Sequence, residues 1–326
     1  VTESNGYADW RSLELAIKDA AKKAAREAGP GVSAATVDAQ IRQARFDRFL
    51  SRVFAAGEQS EWLLKGGMSM LARVPRSRTT KDVDLASQQA PDLAEAVRAL
   101  AELVDVDLGD HLTFRLIRST PTGLGENQPG LATRRYIFAC IDVDHDTQID
   151  TVQVDVVVGP PPVGRPEVVE PANRLHLRRP LVTHPYRLYP MADHIADKVC
   201  ATMDTNYPGG KRSSRVKDLV DLVVLAHTQT VVLDELRAAI AAKQVISGIK
   251  PFDHFEIPPD WARTYPTTAK GVPSAESFTA QTAAALVASL VDSGLDKSSN
   301  NGIWDPDNLA WVAATSGPSA APANAK

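Results

Sequence analysis

Apolar residues at three- and four-residue steps open the chain. Trp10, Leu13, Ile17, Ala20, Ala21 and Ala24 follow Asp9, a good N-cap, and Gly29-Pro30 closes the run, so a helix is expected there. Val37, Ile41, Phe46, Phe49 and Val53 form a second stripe, with Ser33 or Thr36 near its start and Gly57 near its end. From residue 61 short β-type runs alternate with helical ones: Trp62 to Lys65, a helix from Met68 to Val74, Val83 to Ala86, and a helix over 92 to 104. Three further strands are expected at Leu112 to Ile117, Arg135 to Ile141 and Thr151 to Val158, each rich in β-branched or aromatic residues and bounded by Gly, Pro or Asp. Pro160, Pro161, Pro162, Gly164 and Pro166 end this block as a loop. Helical periodicity returns at 191 to 205, 213 to 228, 233 to 243 and 276 to 293.

The pattern predicts an α/β (α+β) chain. Helices over residues 1–57 pack on a mixed-sheet domain at 58–165, a mainly helical domain follows at 166–315, and the small, polar tail 316–326 is disordered.

Composition narrows the class without naming a chemistry. The 44% hydrophobic and 23% charged fractions are those of an ordinary globular protein, and no apolar run reaches the ~18 residues of a membrane span. The N-terminal VTESNGYADW lacks the basic-then-apolar layout of a secretory signal, and Cys140 and Cys200 have no metal-ligand spacing; buried thiols in a cytoplasmic monomer are the expectation. A net charge of −4 argues against coating nucleic acid through bulk charge, yet the signs are segregated. Lys211, Arg212, Arg215 and Lys217 cluster downstream of Asp142, Asp144, Asp146, Asp150 and Asp155. With Arg174, Arg178 and Arg179 the cations form either a phosphate-tracking surface or ordinary surface charge. The seven histidines are scattered singly, and neither a zinc-protease motif, a dinucleotide fingerprint, a P-loop nor a nucleophile elbow is present. Trp261, Tyr265 and Trp304 are either base-stacking residues or core anchors.

The chemistry concentrates in WLLKGGMSMLARVPRSRTTKDVDL, residues 62 to 85. Side chains at i and i+2 of a strand share a face, so Asp82 and Asp84 present two carboxylates together while Val83 and Leu85 point into the core. Such a pair repels unless a cation neutralises it, and hard oxygen donors suit Mg²⁺ held jointly by protein and phosphates. Gly66 and Gly67 allow close approach of an anion to the backbone, and the N-terminus of the following helix with the Ser69 hydroxyl is a candidate phosphate site. Alone, the glycine pair is a weak signal and the acid-x-acid strand a moderate one; their coincidence in one strand-turn-helix-strand unit is much stronger.

This segment resembles the G-G/S…D-x-D signature of the DNA polymerase β nucleotidyltransferase superfamily, with fourteen residues between Gly67 and Asp82, slightly more than usual. Lys65-Gly66-Gly67 with Thr79-Thr80-Lys81-Asp82-Val83-Asp84 is similar to one branch, the AbiEii/MenT nucleotidyltransferase toxins. The resemblance implies a third acid on a neighbouring strand, and Asp155, which interrupts an apolar β-run where an unpaired carboxylate would be costly, is its match. Asp150, five positions earlier, faces the other side and is read as surface. MADHIADKVCA with Lys198 and RSSRVKDLVDLV with Arg215, Lys217, Asp218 and Asp221 resemble the same toxins. The roles this implies are catalytic for Asp82, Asp84, Asp155, Lys198 and Asp218, and nucleotide-binding for Lys65, Gly66, Gly67, Ser69, Lys198, Arg215 and Lys217. Read from the residues alone, Lys198 and Asp218 are either site or scaffold, and Asp221 is scaffold.

The family further implies two Mg²⁺ ions on Asp82, Asp84 and Asp155, an NTP substrate, a tRNA 3′ end as acceptor, and a cognate antitoxin. For some relatives that antitoxin is kinase-like, which makes Thr80 a candidate phosphorylation site. Two other readings stay open: a noncatalytic Mg-NTP-binding partner module, and transfer to a protein or small molecule.

Overall fold

Alternation along the central strands divides the molecule. In the computed structural model, which describes residues 6–121, 131–205, 213–296 and 302–313, Val83 and Leu85 face one core while Asp82 and Asp84 face a cavity on the other side of the sheet.

Helices α1 (Trp10–Ala28) and α2 (Val37–Val53) come first. The Asp9 side chain accepts from Ser12 N–H, and Thr36 accepts from Ala39 N–H, which satisfies donors that a helix start leaves open. The sheet then begins with β1 (Trp62–Lys65), α3 (Gly66–Arg73) and β2 (Val83–Ser87). After α4 (Leu93–Val104), capped by Asp92, come β3 (Leu112–Pro121), β4 (Ala132–Asp142) and β5 (Thr147–Val158).

The sheet does not stop at residue 165, where the sequence pattern places the boundary. Two short strands, β6 (Glu167–Val169) and β7 (Tyr186–Leu188), join it, so that its order among the described residues is β3-β4-β5-β2-β1-β7-β6. Three-residue strands carry too little alternation to be read from sequence. The β2–β5 and β1–β7 pairs are parallel and the others antiparallel, a mixed sheet as expected.

One face of the sheet, with Trp62, Leu64, Val83, Leu85, Val154, Val156 and Phe138, packs on α1, α2 and α4 in a continuous core. Arg48 and Arg52 of α2 reach through it to the buried Asp110 before β3, a charge-assisted tie that fixes the helix on the sheet. Helices α1 and α2 thus share one core with the sheet.

A second core unites α5 (Met191–Met203), α6 (Val216–Thr228), β8 (Val231–Val232), α7 (Leu233–Ser247), α8 (Trp261–Ala269), α9 (Ala280–Leu295), β9 (Gly302–Asp305) and β10 (Ala310–Ala313). The helix α8, which contains Pro266, and the three-stranded β10-β9-β8 sheet are additions to the expected helical region. Trp261, Tyr265 and Trp304 are buried, their polar atoms donating to backbone carbonyls of Ser213, Ala275 and Ala226, which settles them as core anchors. Residues 316–326, Lys211 and Arg212 lie outside the described residues. No helix among the described residues is long and apolar enough to cross a membrane.

Candidate active site

The turn from β1 into α3 is built around Asp84. Gly66 has φ +59°, and a Cβ there would stand 1.8 Å from Asp84 Oδ2. At Gly67 a Cβ would stand 2.7 Å from the Thr80 side chain. The glycines are therefore required first by the protein's own close packing, in addition to the anion approach that the sequence suggested.

Register brings the acids together. Asp84 lies opposite Lys65 of β1 and opposite Asp155 of β5, and Asp155 in turn lies opposite Arg135 of β4. All four point to the sheet face away from the α1–α2 core. Asp155, 2% exposed, accepts from Arg135 Nε and Nη2, both at 2.7 Å, and Arg135 Nη2 also reaches Asp82 Oδ2 at 3.2 Å. Thr80 Oγ1 donates to Asp82 Oδ1 at 2.8 Å. Burial, with the like charges of Asp82 and Asp155, pushes the Asp84 carboxyl up to about 7. The hydrogen bonds that Arg135 donates to Asp155, together with the surrounding carboxylates, likewise raise the Arg135 guanidinium above its ordinary range in spite of burial.

Helices α5 and α6 supply the opposite wall. Lys198 Nζ lies 2.6 Å from Asp221 Oδ2 and 3.3 Å from Asp218 Oδ1. Arg78 clamps Asp221 with two bonds of 2.8 and 2.9 Å, and Arg215 pairs with Asp218. Burial drives both carboxyls upward, but Arg215 and Lys198 hold Asp218, and Arg78 and Lys198 hold Asp221, below the ordinary carboxylate range. Lys217 is exposed on the same cavity.

Deeper in, Asp197 receives Lys65 at 2.8 Å and Lys243 at 2.6 Å, and Lys65 also sits over the Tyr189 ring. Against the push of burial, the two lysines bring the Asp197 carboxyl down to about 2. Burial lowers the Lys65 ammonium in spite of Asp197.

One cavity is lined by Lys65, Gly66, Gly67, Thr80, Asp82, Asp84, Asp155, Lys198, Arg215, Lys217 and Asp218. Every residue given a catalytic or nucleotide-binding role in the sequence analysis reaches it except Ser69. That serine is fully buried and its hydroxyl accepts from Arg73 Nη1 at 2.7 Å, so its assignment to a phosphate is corrected: on α3 it faces the protein interior. Asp150 pairs with Arg45 on the α2 side, as its parity requires. The basic residues divide: Arg174 is held by Asp47, Glu170 and the His184 carbonyl, and Arg179 by the Gly6 carbonyl, on the α1–α2 side and away from Arg215 and Lys217.

Sequence reasoning missed Arg135, Arg78, Asp197 and Lys243. Arg135 depends on a bulge: Asp142 pairs with Thr147 and Ile141 with Gln148, but Cys140 pairs with Asp150. The extra residue shifts the register by one, and without it Arg135 would oppose Val154 on the other face.

The donor chemistry of Asp82, Asp84 and Asp155 fits a hard divalent cation: three carboxylates adjoin, and burial with the like charges of Asp82 and Asp155 raises the Asp84 carboxyl to about 7. Among the described residues no three metal-ligand side chains already converge on one point, and Arg135 stands between Asp82 and Asp155.

The family described as nucleotidyl transferase AbiEii toxin, of type IV toxin–antitoxin systems, matches residues 48–285. The chain belongs to the AbiEii family. It is a nucleotidyltransferase toxin of a type IV toxin–antitoxin system, with an antitoxin as its genetic partner. Among solved structures, the MenT4 nucleotidyltransferase toxin of Mycobacterium tuberculosis is similar in fold, with a TM-score of 0.50 and 14% identity over 85% of this chain and 89% of that one. JHP933 from Helicobacter pylori aligns at a TM-score of 0.37 and 13% identity, over 78% of this AbiEii chain and 94% of that one. No curated protein matches at a significant level.

Proposed function

We propose that this AbiEii toxin moves a nucleoside monophosphate from an NTP to the 3′ end of a tRNA, with Mg²⁺, and thereby blocks translation in the cytoplasm. The observation that carries the reading is one cavity in which three sheet carboxylates, Asp82, Asp84 and Asp155, face a helix wall bearing Lys198, Arg215 and Lys217 beside Asp218.

Phosphoryl transfer asks chiefly for positioning and for neutralisation of charge on the phosphates. Lys198 and Lys217 meet the triphosphate from the helix wall, while Asp218 and Asp221 hold Lys198, and Asp218 holds Arg215, in place. Gly66 and Gly67 leave the backbone at the head of α3 open to the nucleotide. Divalent ions held by Asp82, Asp84 and Asp155 would supply Lewis-acid stabilisation of the attacking and departing oxygens. Asp84, proton-bearing to about 7 on its own, is the group whose charge state responds most to such an ion.

Incubation with total tRNA, Mg²⁺ and each labelled NTP tests the reading. Elongated RNA that disappears in Asp82→Ala is the expected result. Label on protein or on small molecules would replace the acceptor, and retention of NTP without transfer would remove the enzyme.

A further inference from the structure

Arg135 holds the acid on β5 by a forked, two-point contact. Its Nε and Nη2 take both Asp155 oxygens at 2.7 Å, and Nη2 extends to Asp82 at 3.2 Å, so a single guanidinium joins two of the three carboxylates. Asp155 is 2% exposed, which leaves little room for a further ligand beside the fork. The Arg135 side chain is 31% exposed, and its Nη1 stands 3.4 Å from Gln153 Oε1 at the solvent-facing rim of β5. The arginine thus has a place to go along the edge of the same strand.

We propose that Arg135 is an exchangeable internal counter-cation: a divalent ion enters the triad by taking Asp155 and Asp82 from the guanidinium, which moves to the Gln153 rim, so Arg135 sets the ion concentration at which the site fills. The inference rests on reading the triad as a divalent-ion site. A fork–fork guanidinium–carboxylate contact is directional and strong, whereas a lysine ammonium is a point charge on a flexible stem, so the two residues are unequal competitors for Asp155. Arg135 acts through the acids and is a positioning residue.

The test is Mn²⁺ binding to the full chain, read from the free-ion electron paramagnetic resonance signal with no nucleotide or RNA present. Arg135→Met is expected to bind Mn²⁺ about tenfold or more tightly than the wild type, and Arg135→Lys to fall between them. Arg135→Gln serves as a second neutral variant if the methionine variant fails to fold, as judged by circular dichroism. Equal or weaker binding by the neutral variants overturns the exchange and makes Arg135 a support for the acids. A lysine variant indistinguishable from wild type beside a tighter neutral variant also overturns it, because charge alone would then explain the gain. If neither wild type nor any variant binds Mn²⁺, or binding survives Asp84→Asn unchanged, the divalent-ion reading of the triad falls, and this inference with it.

Discussion

Gly66 and Asp84 occupy one another's space: the Cβ that any other residue would bring lies 1.8 Å from Asp84 Oδ2, and the turn has φ +59°. Gly66→Ala forces either the carboxylate or the turn to move and adds left-handed strain of about 1–2 kcal/mol. If Asp84 acts in transfer as proposed, its displacement is the larger effect, since a shift near 1 Å can cost about a hundredfold in rate. We expect at least that loss in nucleotide transfer, with a melting temperature lowered by only a few degrees. Retention of near-wild-type transfer by a folded Gly66→Ala protein would show that Asp84 is not held where the reaction needs it.

The helix wall separates support from contact. Asp221 is fully buried and takes both Arg78 and Lys198, so Asp221→Ala leaves Arg78 without its carboxylate and Lys198 with Asp218 alone, and breaking such a buried pair costs about 3–5 kcal/mol. Lys217 is exposed on the cavity, so Lys217→Ala should leave stability within about 0.5 kcal/mol while transfer drops. Denaturant unfolding and the labelled-NTP assay, run on both variants, give opposite orders of severity. A Lys217→Ala enzyme with full activity would return that lysine to the solvated surface.

Much of this arrangement was legible in the sequence because its signals are local. Parity along β2 placed Asp82 and Asp84 on one face, and the apolar flanks of Asp155 marked its strand as buried. The helix carrying Lys198 followed from its periodicity, and Asp221, read as scaffold, is buried against Lys198 and Arg78. What escaped depends on distant pairing. Arg135 meets Asp155 only through a bulge that changes the β4–β5 register, Arg78 meets Asp221 across the two halves of the chain, and Ser69 is turned inward by the rotation of α3. The strands β6 and β7 are too short to show a period, so the boundary at residue 165 cut through the sheet.

Asp84 makes stability depend on pH in an unusual direction. Its carboxyl is raised from 3.8 to about 7 by burial and by Asp82 and Asp155. The folded state therefore holds a proton that the unfolded chain has lost, and stability falls as pH rises through that window, by on the order of a few kcal/mol. Replacement by asparagine removes the titration. Urea unfolding of chelator-treated protein at pH 5 and pH 7.5 should show wild type losing stability relative to Asp84→Asn. Parallel behaviour of the two proteins would mean that Asp84 is ionised throughout.

Thr80 adjoins the same acids. Its hydroxyl donates to Asp82 at 2.8 Å, and its side chain fills the space beside Gly67, 6% exposed. A phosphate on that oxygen would place about two negative charges next to Asp82 and intrude on the glycine turn, which opposes both nucleotide and cation binding. Because the hydroxyl is buried, modification requires the 75–81 segment to open, so a kinase-like antitoxin should act on it slowly in purified, nucleotide-bound toxin and faster without nucleotide. Mass spectrometry of toxin co-expressed with its antitoxin is expected to find phosphate on Thr80, and Thr80→Val is expected to stay toxic in the antitoxin's presence. Unmodified Ser77, Thr79 and Thr80 in an inactive, antitoxin-treated protein would place neutralisation elsewhere on the molecule.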